Sequence, residues 1–162
     1  MSEAIDPATL ERLRRGIPLR LDRTGQFHFE GDPVANPRVH ALFLAGLDLS
    51  DAGEPTLHVG NQWCYLTVDD CPLRATAVLR ADDGRPQLRL DDGRVVPLDP
   101  ATLRDDGQGL RAAAPSQRSG RALAVRLINA ATMDLTAWID DSVDPPLLQI
   151  ADQRTPIPTA PP

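Results

Sequence analysis

Asp69 and Asp70 stand side by side at the end of an alternating apolar run, immediately before Cys71-Pro72. Adjacent carboxylates raise each other's pKa and favour hard divalent ions, so the pair offers cation binding or paired acid and base chemistry. With His58 as a third group, the same pair would make a metal-assisted hydrolase. The competing reading is a strand-ending turn, in which an Asp accepts backbone N–H bonds ahead of the proline.

The other reactive side chains fall at less telling spacings. His28, His40 and His58 with Glu30 form no His-x-x-x-His pattern, and the cysteines form no Cys-x-x-Cys, so no metal site is expected. Cys64 lies between Trp63 and Tyr65 in a strand-like run, where a thiol packs as a small hydrophobe. There is no Gly-x-Ser-x-Gly elbow, and Gly107-Gln108-Gly109 lacks the preceding strand, third glycine and following helix of a dinucleotide site. No catalytic set and no cofactor are expected. Arg12, Arg14, Arg15, Arg20 and Arg23 form a basic cluster that suits either an anionic partner or a solvated helix face.

These residues sit in a 162-residue chain with 41 % apolar and 4 % aromatic residues, enough for a core of Leu, Val, Ala and Ile. Every basic residue is Arg and Asp far outnumbers Glu, the signature expected of a GC-rich bacterial genome. A net charge of −6 argues against nucleic acid as partner, because that surface needs clustered positive charge. The charged N-terminus has no apolar stretch of signal-peptide type, and no run reaches membrane-span length. A cytoplasmic protein with reduced thiols and no membrane contact is expected.

The elements that must position the candidates are marked by caps and turns. Asp6-Pro7 and Asn36-Pro37 are start signals for two helices, the first ending at Gly16. In the second, Val39, Leu42, Phe43, Gly46 and Leu47 fall on one predicted apolar stripe. Hairpins are predicted over 19–31 and 56–68, with further strands at 73–79, 87–90, 94–98, 109–113 and 123–128, and a flexible loop over 115–120. Asn129 is expected to cap a third helix, followed by a last hairpin over 147–157 and a disordered tail over 158–162.

Leu57 to Gln62 and Leu148 to Gln153 match as Leu-x-aliphatic-small-Asn/Asp-Gln, each roughly 20 residues after Asn36 or Asn129. The expected fold is therefore α+β, with repeated helix-plus-β-hairpin units and short antiparallel sheets. Its expected divisions are an N-terminal helix at 1–16, a first repeat at 17–80, a strand-rich segment with a second repeat at 81–157, and the tail.

The string from Gly25 through Phe27, Phe29, Gly31, Pro33 and Arg38 to Val39, together with Val68-Asp69-Asp70-Cys71-Pro72-Leu73, resembles the uncharacterised bacterial family known as domain of unknown function number 1285. The likeness runs from Leu19 to Leu79 and continues more weakly to Ile157. Phe27 stands where that family commonly has Trp, and Cys71 and Leu73 stand where it has Ala and Phe. The resemblance implies an α+β fold with a repeated motif, no established activity and a suggested role in signal transduction.

The function expected is thus that of a non-enzymatic regulatory or ligand-sensing module. Asp69, Asp70, His58 and Arg38 are its candidate ligand-binding residues, and a small molecule or another protein is its partner.

Overall fold

The computed structural model describes residues 4–159, which form two compact units. The fold is α+β, as expected, with three α-helices and sixteen short strands among the described residues. One unit holds the chain up to Pro72 together with Ser116–Arg121, and the other holds Leu73–Pro115 and the chain from Ala122 onward.

In the first unit, helix α1 (Pro7–Arg15) starts where Asp6 accepts the Thr9 N–H, and Gly16 ends it. Strands β1 (Leu19–Leu21) and β2 (Phe27–Phe29) pair antiparallel. Their turn is tied by Asp22, whose Oδ1 accepts from the N–H groups of Thr24 and Gln26 and from the Thr24 hydroxyl. A two-residue turn, Glu30-Gly31, has positive φ at both positions, 52° and 86°. This twist joins β2 to β3 (Asp32–Pro33).

Helix α2 (Pro37–Ala45) follows its Asn36 cap. Strands β4 (Leu47–Leu49), β5 (Pro55–Val59) and β6 (Gln62–Tyr65) form an antiparallel meander, while β7 (Thr67–Val68) returns to pair in parallel with β1.

The phase of α2 differs from the expected stripe. Leu44 is buried and Leu42 is half exposed, because the buried edge runs through Val39, His40, Phe43 and Leu44. Phe27 sets this phase: it is fully buried and meets the rings of Phe43 and His40 edge-on at 5.3 and 5.5 Å. Gly46 lies on that edge for a different reason, close approach of backbone. The His58 N–H donates to its carbonyl at 2.9 Å. The segment expected to be a flexible loop is fastened here too, since the Ser116 hydroxyl is buried and donates to the Leu47 carbonyl at 2.9 Å.

The second unit is built on β8 (Leu73–Arg80), which pairs antiparallel with β9 (Pro86–Leu90) and in parallel with β13 (Ala122–Leu127). The end of the expected first repeat at 17–80 thus falls on a strand paired on both edges, central to this six-stranded sheet. Strand β10 (Val95–Pro97) flanks β9, while β12 (Leu110–Pro115) and β11 (Arg104–Asp105) extend from β13.

Helix α3 (Asn129–Leu135) packs against β8, with Asp134 accepting the Val78 N–H at 3.0 Å. Its cap position is Ile128, without a side-chain cap bond, so Asn129 is the first helical residue rather than the cap. A one-turn 3₁₀ segment leads to a second meander, β14 (Ile139–Asp140), β15 (Leu147–Ile150) and β16 (Gln153–Pro156). Of the tail, Pro158 accepts the Asp105 N–H and Thr159 bridges Asp105; positions 160–162 lie outside the described residues. No helix among the described residues is long and apolar enough to cross a membrane.

Candidate ligand-binding site

The hairpin of β5 and β6 has two chemically different faces, as the alternation of a strand requires. Leu57 pairs with Cys64 and Val59 with Gln62, which puts these four side chains on one face; Thr56 with Tyr65 and His58 with Trp63 occupy the other.

Against the first face lies a cavity of about 430 Å³, within the range of small-molecule sites. Phe29 from β2, Val39 and Phe43 from α2, and Leu57, Val59 and Cys64 from the hairpin supply much of its wall. Gln62 is its one polar side chain apart from the Trp63 indole N–H. Much of this apolar wall meets solvent, with Phe29 46 %, Ile17 41 % and Val59 37 % exposed. The hairpin over 19–31 buries one apolar face, as expected, through Leu19, Leu21 and Phe27, while Phe29 opens into this cavity. The cavity's only carboxyl or thiol group is the Cys64 thiol, whose pKa burial pushes up, which leaves it a poor nucleophile at neutral pH.

The second face borders another cavity, of about 490 Å³, whose lining residues are mostly polar. Of its lining residues Asp48 and Thr56 are buried, and Asp48 accepts from the Ser119 hydroxyl at 2.5 Å and from the Leu49 N–H at 2.9 Å. Burial opposes the charge on Asp48, but these hydrogen bonds hold its pKa below the usual carboxylate value. His58 contacts Thr56 Oγ1 at 3.1 Å and stacks on Trp63 at 5.7 Å between ring centroids. Burial, with Arg118 and Arg14 nearby, pushes the His58 pKa down. The polar groups of this face are therefore largely engaged with one another.

Two solved structures share this architecture. A DUF1285 family protein from Silicibacter pomeroyi superposes with a TM-score of 0.70 at 18 % identity, over 99 % of this chain and 91 % of its own. The fold is that of DUF1285 family proteins. A second, from Shewanella baltica, gives a TM-score of 0.60 at 18 % identity, over 75 % of this chain and 92 % of its own. No family model and no curated protein matches the chain.

Within this DUF1285-type fold the four candidate residues do not converge. Asp69 is tied to Arg20, whose Nε donates to both carboxylate oxygens at 2.9 Å. That guanidinium holds the Asp69 pKa below its usual value, the reverse of the elevation expected for a carboxylate pair. Asp70 is half-buried beside it. His58 belongs to a different sheet, and Arg38 is exposed on the first turn of α2, its N–H donating to the Asn36 cap. Among the described residues, no three His, Cys, Asp or Glu side chains gather closely enough to hold a metal ion.

The basic cluster is dispersed as well. Arg15 bridges Glu11 and Glu54 and lies 4.0 Å over Tyr65, and Arg20 holds Asp69. Trp63, absent from the candidates, is the residue that borders both cavities.

Proposed function

We propose that this chain is a non-enzymatic ligand-sensing module whose first unit takes up a small apolar molecule in the cavity between β2, α2 and the β5–β6 hairpin. One observation carries the reading: a concave wall of almost wholly apolar side chains that leaves Phe29, Ile17 and Val59 substantially in water. Exposed apolar surface gathered in a concavity marks a binding site more often than a folding requirement. A role in signal transduction fits a module that binds without transforming. The metal-assisted hydrolase is the weaker reading, because Asp69 is engaged by Arg20.

A repeated unit is also part of this reading. Its support is that α2 and α3 each lead into a three-stranded meander, and that the matched turns at Gly60 and Ala151 both have positive φ, 61° and 52°.

Calorimetric titration with straight-chain alcohols from butanol to decanol tests the proposal. Each buried methylene contributes about 0.8 kcal/mol, so affinity rises about fourfold per carbon until the cavity is filled and then levels off. Val59→Gln, at a partly exposed strand position, weakens every member of the series. Binding without dependence on chain length, or no binding, contradicts the proposal.

A further inference from the structure

Resting on that apolar-cavity reading, we infer that the ligand is an amphipathic anion, a medium-chain acyl carboxylate whose tail fills the cavity and whose head is met by Arg14.

Trp63, Gln62 and Ile17 line not only the apolar cavity but also an adjoining hollow of about 360 Å³, whose further wall includes Arg14 and Asn61. A ligand can therefore pass from one to the other without leaving these three shared side chains. The guanidinium of Arg14 lies 4.1 Å over the Trp63 ring, a cation–π contact that helps hold the group in place. Its neighbours Arg15 and Arg20 are each neutralised by carboxylates. Among the described residues, the Arg14 side chain has no hydrogen-bond or ion-pair partner.

The side-chain amides of Asn61 and Gln62 border the same hollow and supply further donors. A positioned cation beside an apolar channel selects a negative head over a neutral or positive one. A planar carboxylate matches the guanidinium fork in two parallel hydrogen bonds.

The test compares octanoate, octanol and octylamine, titrated into the full chain and into Arg14→Gln and Arg14→Lys at low ionic strength. Octanoate is expected to bind about 10-fold tighter than octanol, the scale of one charge-assisted contact, with octylamine weakest. In Arg14→Gln the ratio of octanoate to octanol affinity falls to about one, and Arg14→Lys keeps part of the preference. Octanol binding with no preference for octanoate, or a preference that survives in Arg14→Gln, overturns this inference and leaves the apolar-cavity reading standing. If none of the three binds, both fall.

Discussion

A Cβ placed on Gly46 would stand 2.0 Å from the His58 carbonyl oxygen, while the His58 N–H donates to the Gly46 carbonyl at 2.9 Å. The end of α2 thus rests directly on β5, the contact that sets one wall of the cavity against the other. Backbone cannot retreat as a flexible side chain can, so Gly46→Ala is expected to cost about 3 kcal/mol or more. Leu42→Ala, half exposed on the same helix, should stay within about 0.5 kcal/mol. Urea denaturation of both variants checks the difference.

Ala151 occupies the left-handed region at φ 52°, in the turn that matches Gly60 at φ 61°. An L side chain there costs roughly 1 to 2 kcal/mol. Ala151→Gly should therefore raise stability by about 0.5 to 1 kcal/mol, after the added flexibility of the unfolded glycine is subtracted. Gly60→Ala, with nothing within 4 Å to clash with, should lower it by a similar amount. Equal midpoints for either pair would contradict the turn geometry.

Asp106 and Arg126 form a buried pair at 2.6 Å in the second unit. The Arg126 guanidinium, against the opposing effect of burial, holds the Asp106 pKa at about 2. Because the folded value lies below the unfolded one near 3.8, the charged pair stabilises the fold above about pH 4, and this contribution is lost as pH falls through about 2. Wild type should therefore lose about 2 kcal/mol more than Asp106→Asn between pH 5 and pH 1. At pH 7 the variant should be less stable by about 3 kcal/mol, since it removes the carboxylate that faces the buried Arg126 guanidinium. Denaturation curves across this range give both quantities.

Cys64 and Cys71 are not joined in a disulfide; the first is half-buried in the cavity wall and the second buried. Burial raises the Cys64 pKa, so alkylation at pH 7 should be slow, accelerate as pH rises toward and beyond 9, and slow further when octanol is present. Mass spectrometry of the labelled chain follows each site. Rapid labelling of Cys64 at neutral pH, unaffected by octanol, would count against the cavity as a binding site.

Local chemistry made much of the fold legible. Asp6-Pro7 and Asn36-Pro37 are true helix starts, and the Asp22 turn joins the first hairpin. What long-range packing decides was not legible. The phase of α2 is set by Phe27 from another element, β2, and the parallel pairing of β8 with β13 joins segments some 50 residues apart. The site shows the same division. Alternation across Leu57-His58-Val59 and Trp63-Cys64-Tyr65 already separates an apolar from a polar face, and that signal was available. That the apolar face stays partly in water depends on where Phe29 and Ile17 come to rest. The Asp69-Asp70 pair drew attention because adjacent acids suggest chemistry; Arg20, 49 residues earlier, neutralises one of them.

The chain has two indoles, Trp63 bordering the cavity and Trp138 in the second unit, where its N–H donates to the Gly84 carbonyl at 3.1 Å. Their N–H resonances in a ¹H–¹⁵N spectrum, assigned with Trp63→Phe, report the two units separately as octanol is added. The account predicts that the Trp63 signal moves in a saturable way while that of Trp138 stays in place; a Trp63 signal that does not move, or a shift confined to Trp138, would contradict it.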